Sequence, residues 1–251
     1  MSNVQKHLEQ AIQINPKFAD AHYELALILK KKGENEKSIE HLLKAIDIQP
    51  EFPKAHFHLA SHMNTIKDYK TAKKHYIKSI ELDPFYADSH FYYGLMLVEL
   101  EEFEDAKKNM EKATDIDQNY SLAYYHLARL LIDPEDYTKA KKYYLTAIDI
   151  DEKLEEAHYY LGKLLSGGLQ NDMDGTLVKK PEYDEAIVHY KKAIRINDNY
   201  EKAHYNLALV YKIQKNYDLS RKHFEKAIKI AHDYSKAHFQ LAMLFKEIGE
   251  A

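Results

Sequence analysis

Histidine is the residue type with the most evident chemical potential in this sequence, because 15 imidazole rings could bind a metal or carry a proton near neutral pH. His58 and His62 stand four residues apart, which would place both rings on one face of a helix, as in many zinc sites. The chain contains no cysteine, and no acidic third ligand is evident beside this pair. The pattern therefore favours half-buried polar side chains over a zinc site.

A second metal-site hypothesis concerns residues 166–182, which hold three of the seven glycines. The stretch QNDMDGTLVKKP resembles a calcium-binding EF-hand loop, with Asp172 and Asp174 at loop positions three and five. The first ligand would be Gln170 and the bidentate glutamate would be Pro181, so two required carboxylates are missing. We expect a lengthened, solvent-facing turn without calcium, with a secondary contact surface as the alternative.

No motif typical of an enzyme is present in the sequence. It contains no phosphate-cradling glycine loop, no nucleophile elbow and no paired carboxylates in a recognisable setting. The 36 basic and 40 acidic residues are well mixed, so the net charge of -4 gives no attraction to nucleic acid or to an anionic membrane. No apolar run approaches the roughly 18 residues that a membrane span needs. We expect a non-enzymatic, cytoplasmic protein with no cofactor, no nucleic-acid partner and no membrane partner.

The sequence repeats itself every 34 residues. The motifs AHYELAL, AHFHLAS, SHFYYGL, AYYHLAR and AHYYLGK begin at residues 21, 55, 89, 123 and 157. After a step of 46 residues, AHYNLAL and AHFQLAM begin at residues 203 and 237. Each unit contains two amphipathic stretches of helical spacing around a short turn, which predicts a helical hairpin. A single hairpin cannot cover its own apolar face, so the hairpins are expected to stack.

This period and its small residues resemble the tetratricopeptide repeat, a helix-turn-helix unit of 34 residues. When each repeat is numbered from its first helix, position 8 is always alanine or glycine: Ala26, Ala60, Gly94, Ala128, Gly162, Ala208 and Ala242. Small residues at this position allow two helix backbones to approach closely. The resemblance implies an all-α fold, an α-solenoid in which stacked repeats form a right-handed superhelix.

The resemblance covers essentially the whole chain and predicts one solenoid domain over residues 1–251. Repeats are expected to start near residues 19, 53, 87, 121, 155 and 201, with a 12-residue insertion within about 166–182. Residues 1–15 correspond to a lone second helix, and residues 235–251 correspond to a lone first helix.

The two ends of the sequence are thus complementary halves of one repeat. One hypothesis is that the chain is a segment of a longer repeat array or of a larger multidomain protein. The other is head-to-tail self-association, in which the last helix of one molecule pairs with the first helix of the next.

In the family that this sequence resembles, the first helices line a concave groove. Position 5 of every repeat is aromatic here, and aromatic side chains are favoured anchors for peptides. We predict that the groove binds a protein or peptide segment through Tyr23, Phe57, His58, Phe91, Tyr92, Tyr125, His126, Arg129, Tyr159, Tyr160, Lys163, Tyr205, Asn206 and Phe239. The alternative is that the position-5 rings pack between neighbouring first helices and only line the groove.

The charge of the predicted groove is uneven, since basic residues outnumber acidic ones toward its C-terminal half. This distribution would steer an acidic ligand to that half, although a solvated face without function is the alternative. Relatives that hold the acidic tails of heat-shock chaperones use a lysine at position 5 and an asparagine at position 9, and both are absent here. A further hypothesis, RNA binding, is disfavoured by the acidic balance of the chain.

Eleven of the 15 histidines fall at two positions of the repeat. Position 4 carries His22, His56, His90, His158, His204 and His238, and position 23 carries His7, His41, His75, His189 and His223. Periodic placement in a packing frame indicates rings that fill an aromatic site while a ring nitrogen bonds a neighbouring carbonyl or carboxylate. Buried neutral histidines predict a loss of stability between about pH 6 and 5.

Overall fold

The computed structural model describes residues 3–131, 133–167 and 181–249, and the regular structure of these residues is helical throughout. The fold is the all-α solenoid class expected from the sequence. The helices are α1 (Asn3–Ile14), α2 (Ala19–Lys31), α3 (Asn35–Ile48), α4 (Pro53–Thr65), α5 (Tyr69–Leu82), α6 (Ala87–Glu99), α7 (Phe103–Ile116), α8 (Ser121–Leu130), α9 (Tyr137–Ile150), α10 (Glu155–Leu165), α11 (Tyr183–Ile196), α12 (Glu201–Ile213), α13 (Tyr217–Ile230) and α14 (Ser235–Ile248).

The chain divides into two compact units, residues 1–118 and residues 119–251. In unit 1, the hairpins α2–α3, α4–α5 and α6–α7 follow α1, and each hairpin packs on its neighbour through α3 with α4 and α5 with α6. In unit 2, the hairpins α8–α9, α10–α11 and α12–α13 precede α14, and they pack through α9 with α10 and α11 with α12. Consecutive hairpins of one unit thus cover part of each other's apolar surface.

Tight turns join the two helices of a hairpin. In unit 1 the turn residues Gly33, Lys67 and Glu101 occupy the same repeat position and adopt positive φ angles of 79°, 61° and 61°. A left-handed residue here lets backbone N–H groups reach the last carbonyls of the first helix, as Gly33 N does with Lys30 O at 3.0 Å. In unit 2, Asp172 and Asp174 of the EF-hand-like stretch lie outside the described residues.

Small residues bring the two helices of each hairpin together. Ala26, Ala60 and Ala208, all at position 8, are fully buried. At Gly162 the approach is closest, because a Cβ atom added there would lie 2.9 Å from the ring of Tyr190. Tyr190 is itself fully buried, so the ring could not retreat without disturbing the core of unit 2.

The two histidine rows meet each other inside the hairpins. Nδ1 of His22 lies 2.9 Å from Nδ1 of His41, and Nδ1 of His56 lies 2.8 Å from Nδ1 of His75. The pairs His158–His189 and His204–His223 have the same contact at 3.0 and 2.9 Å. These contacts support a structural role for the eight paired histidines. His90 instead contacts Oδ1 of Asn109 at 3.3 Å, and His7 and His238 are exposed.

Hydrogen bonding fixes where the protons of the two pairs in unit 1 sit. Nε2 of His22 faces the backbone oxygen of Pro16 at 3.1 Å, and Nε2 of His56 faces that of Pro50 at 3.0 Å. A carbonyl oxygen can only accept, so the position-4 ring must carry its proton on Nε2 and accept on Nδ1. The position-23 ring must then donate from Nδ1. Protonating Nδ1 of the position-4 ring would place two N–H donors opposite each other with no acceptor between them.

One repeat replaces the histidine pair by a different pair of rings. In unit 2 the two positions hold Tyr124 and Tyr143, whose ring centroids lie 5.8 Å apart. Both members have changed in this repeat, whereas in unit 1 Asn109 replaces only the position-23 histidine and its Oδ1 lies 3.3 Å from Nδ1 of His90. This repeat provides a natural template for replacing two imidazole rings by two phenol rings.

We predict that acidification destabilises the protein through these pairs. Burial, together with the nearby partner histidine, lowers the pKa of His75, His189 and His223 to about 4. An unfolded histidine titrates near about 6.5, so below that pH the unfolded chain binds more protons than the folded chain. Stability should therefore be highest above about pH 6.5 and fall as the pH drops toward 4.

The measurement is the melting temperature by circular dichroism at pH 7.5 and 5.5. The wild type should melt several degrees lower at pH 5.5. In a His56→Tyr and His75→Tyr double variant, which copies Tyr124 and Tyr143, the melting temperature should fall by fewer degrees. Equal losses in the two proteins would show that the pairs do not cause the pH dependence.

Candidate peptide-binding surface

The first-helix row comprises the side chains at positions 5, 6, 9 and 12 of the first helices. Of the predicted binding residues, Tyr92, Arg129 and Phe239 are exposed. His58, His126, Tyr160 and Lys163 are half-buried. The remaining members are buried: Tyr23, Phe57, Phe91, Tyr125, Tyr159, Tyr205 and Asn206.

The buried rings of unit 1 fill the seam between consecutive hairpins. The ring centroid of Tyr23 lies 4.9 Å from that of Phe52, the residue just before α4. The ring of Phe57 lies 5.2 Å from that of Tyr86, the residue just before α6. Both rings thus contact the aromatic residue that directly precedes the next hairpin. This packing agrees with the alternative in which the position-5 rings lie between neighbouring repeats and only line the groove.

Unit 2 repeats this arrangement. Tyr159 lies 4.9 Å from Tyr200, and Tyr205 lies 5.1 Å from Tyr234, measured between ring centroids. Asn206 donates from Nδ2 to the hydroxyl of Tyr159 at 3.0 Å, so this amide supports the core and is not open to a ligand. Phe239 departs from the pattern because it is 59 % exposed on α14.

An exposed tyrosine stands above the buried rings of unit 1. The ring of Tyr92, 39 % exposed, lies 5.5 Å from Phe57 and 5.2 Å from Phe91, edge to face with both. Two buried rings therefore hold its orientation while one face remains open. A rigid, partly exposed aromatic ring is suited to contact an apolar group of a partner.

An arginine lies over two rings in unit 2. The guanidinium carbon of Arg129 is 4.9 Å from the ring centroid of Tyr160 and 5.5 Å from that of Tyr125. The two rings are 5.8 Å apart, so the cation sits over a continuous aromatic surface. Arg129 forms no ion pair with any acidic side chain in the described ranges. Arg129 shares a side-chain hydrogen bond with Tyr125, and its guanidinium has further N–H donors for a carboxylate or a carbonyl oxygen.

A compact polar cluster lies in unit 1 between α2 and α4. Nζ of Lys30 donates to Oγ of Ser61 at 3.1 Å. His58, Ser61 and His62 lie three and four residues apart, on one face of α4. Burial lowers the pKa of Lys30, and burial together with the charge of Lys30 lowers the pKa of His58 and of His62 to about 4. Both imidazoles are therefore neutral at pH 7.

The two histidines of this cluster have different partners. Ser38 donates its hydroxyl hydrogen to the carbonyl of Ala26 at 2.8 Å, so Ser38 Oγ accepts from Nε2 of His62 at 2.9 Å. Nδ1 of His58 is buried without a hydrogen-bond partner. Among the described residues, no group of three or more histidine, aspartate or glutamate side chains is placed to hold a metal ion.

Sequence reasoning placed His58 in the binding surface but left out Lys30 and Ser61. The two residues are 31 positions apart, at positions 12 and 9 of successive repeats, so no local motif joins them. At the C-terminal end, Lys212 lies 3.7 Å from Glu247, so one cation of the predicted basic half already has an acidic partner.

The described helices include none that is both long and apolar enough to cross a membrane.

The fold and this surface define a protein built from stacked helical hairpins with a short repeat. Family models described as TPR repeat match residues 6–33, 27–62 and 176–215. Models described as tetratricopeptide repeat match residues 53–86, 87–120, 122–154 and 201–234. The chain therefore belongs to the tetratricopeptide repeat family, whose fold is typically a non-enzymatic scaffold for protein interactions.

Solved structures with the same fold support this assignment. YrrB, a TPR protein with an unusual peptide-binding site, is 24 % identical, with a TM-score of 0.62 over 79 % of this chain and 96 % of its own. PilF of Pseudomonas aeruginosa is 20 % identical, with a TM-score of 0.76 over 90 % and 97 %. A chain of the Cut9–Hcn1 hetero-tetramer of the APC/C is 16 % identical, with a TM-score of 0.73 over 97 % and 46 %. A search of curated proteins finds no match.

Burial separates core rings from surface rings, which predicts unequal effects of substitution. Tyr125→Ala removes a buried ring and should lower the free energy of unfolding by about 3–5 kcal/mol. Tyr92→Ala removes an exposed ring and should cost less than about 1 kcal/mol. Urea denaturation followed by circular dichroism measures both. Tyr125→Phe is the control and should lie near the wild type, because the buried ring remains. Similar losses for the two alanine variants would contradict the separation.

Proposed function

We propose that this protein is a protein-interaction scaffold whose first-helix row binds an extended peptide segment of a partner. The contact residues in this proposal are the accessible members of the row, taken for each unit by itself: Tyr92 and His58 in unit 1, and Arg129, His126, Tyr160, Lys163 and Phe239 in unit 2. The buried position-5 rings orient these side chains and do not themselves contact the ligand. Family membership and the peptide-binding site of YrrB support a function of this class.

The observation that carries the proposal is the arginine over the two tyrosines in unit 2. A guanidinium over aromatic rings has a fixed position, so little side-chain freedom is lost when it donates to a ligand. Tyr160 supplies an apolar face beside this donor. An aromatic contact next to directed hydrogen bonds is a common basis for peptide anchoring.

The proposal is tested with peptides selected from a random display library on the full chain. Dissociation constants of the selected peptides are then measured by fluorescence anisotropy. A Tyr92→Ser and Tyr160→Ser double variant, which removes one anchor from each unit, should weaken binding by about fivefold or more, since one lost anchor costs on the order of 1 kcal/mol. Tyr125 is not substituted here because it is buried in the core.

The matched control is Phe103→Ser, which removes an exposed aromatic ring from a second helix. Phe103→Ser should leave the dissociation constants unchanged. If the selected peptides bind the tyrosine double variant as tightly as the wild type, the first-helix row is not the binding surface.

Exposed apolar residues favour a second candidate function, in which α1 or α14 packs against a further helix. Ala242 at position 8 is exposed, whereas Ala26 and Ala208 at the same position are fully buried. Val4 on α1 is 62 % exposed. The added helix could belong to a longer chain or to a second copy in head-to-tail association.

Sedimentation velocity over a range of protein concentrations tests the second copy. Head-to-tail association predicts a mass that rises with concentration. Ala242→Arg should suppress that rise, because a charged side chain cannot be buried in the new contact. A monomer mass at all concentrations would reject self-association.

A further inference from the structure

We propose that Lys30, Ser61 and His58 form a subsite for a carboxylate group of an acidic peptide. This inference rests on the proposed peptide-binding function and assigns a chemical class to the ligand at one place in unit 1. The subsite lies on the first-helix row, with Lys30 from α2 and both Ser61 and His58 from α4.

The lysine of this cluster is a half-buried cation without an anion. Its one hydrogen bond is to the neutral hydroxyl of Ser61, and it pairs with no acidic side chain of the described residues. A lysine that is partly removed from water loses solvation of its charge, which an opposite charge would restore. A ligand carboxylate placed beside Nζ would supply that charge together with a charge-assisted hydrogen bond.

The histidine adds a second donor. Neither ring nitrogen of His58 bonds a described residue, and Nδ1 is shut off from solvent, so Nε2 is the nitrogen that a ligand can reach. The ring is held between the rings of Phe57 at 4.9 Å and Tyr23 at 5.7 Å. A neutral imidazole with its proton on Nε2 can therefore donate to an oxygen atom without a large rearrangement.

The charge of the subsite favours a carboxylate over a phosphate. Lys30 contributes one positive charge, and His58 and His62 are neutral at pH 7 because burial lowers the pKa of both. One positive charge matches the single negative charge of a carboxylate. A phosphate group would carry about two negative charges near neutral pH and would leave one of them uncompensated.

Several groups surround His58 and set its charge. The direct neighbours are Lys30 and Tyr23 from α2 and Lys54 and His62 on α4. Ser38 from α3 acts through His62, and Tyr76 from α5 and Tyr92 from α6 act through Phe57. Both charged neighbours are lysines, and they disfavour the imidazolium form. A bound carboxylate opposes them, so binding raises the pKa of His58 above its value of about 4 in the free protein. Affinity for the carboxylate therefore rises as the pH falls from 7 toward 5.

The experiment uses an acetylated, amidated tetraglutamate peptide as the probe, with tetraglutamine as its neutral counterpart. Binding to the full chain is followed by ¹⁵N NMR of the histidine rings at pH 7.0 and 5.5. Tetraglutamate should shift the His58 ring signals in a saturable manner, more tightly at pH 5.5, whereas tetraglutamine should not. Inorganic phosphate is the third probe and should not displace tetraglutamate at the same concentration.

Two variants separate the roles within the subsite. Lys30→Met should weaken tetraglutamate binding by about fivefold or more, the effect of one lost charge pair worth about 1 kcal/mol. His58→Gln should remove the increase in affinity at pH 5.5. Lys70→Met, which removes an exposed lysine from α5, is the control and should leave binding unchanged. Melting temperatures establish that each variant is folded.

The subsite is overturned if Lys30→Met binds tetraglutamate as well as the wild type, or if tetraglutamine binds equally well. Displacement by phosphate would overturn the assignment of a carboxylate. These outcomes are distinct from failure of the peptide-binding row, because display-selected peptides that depend on Tyr92 and Tyr160 would still bind the Lys30→Met variant.

Discussion

Each helical hairpin of this chain has an apolar face that only another helix can cover, and an aromatic ring at position 5 fills the seam that results. In unit 1 the ring of Tyr23 meets Phe52, and in unit 2 the ring of Tyr205 meets Tyr234. Burial of such rings contributes on the order of 2–3 kcal/mol each, which makes the seam a main source of stability. The proposed contact residues are consequently those that stand above the seam, at positions 6, 9 and 12, together with the exposed Phe239 on α14.

Much of the architecture could be predicted because the 34-residue period fixes which residues share a packing position. The same frame identified the small residues of the hairpins and the two histidine rows, whose members meet 19 residues apart in unit 1. Helical periodicity could not predict how exposed the position-5 rings are. It shows on which face of a helix a residue lies, but not how deeply that face is buried between two hairpins. The sequence nevertheless contains a pattern that indicates the burial of these rings. An aromatic residue lies 29 positions after Tyr23, Phe57 and Tyr205, immediately before the next first helix.

Individual contacts between repeats were harder to foresee. The hydrogen bond of Lys30 to Ser61 depends on how two hairpins are placed side by side, and neither residue recurs at its position in the neighbouring repeats. The same holds for Arg129, whose cation rests on rings from α8 and α10. The period predicts what the repeats have in common, whereas specificity in a repeat protein resides in the residues that differ among them.

The pairing of rings at positions 4 and 23 limits which substitutions this sequence can accept during evolution. Replacing a single member by an apolar residue would leave a buried nitrogen without its partner, at a cost of about 1–3 kcal/mol. Two kinds of replacement avoid this cost here: Tyr124 and Tyr143 exchange both members, whereas Asn109 replaces the position-23 histidine alone and its Oδ1 lies 3.3 Å from Nδ1 of His90. The repeats of one molecule thus act as a small family of related sequences. Substitution at two contacting positions, ordinarily followed by comparing species, can be followed here within a single polypeptide.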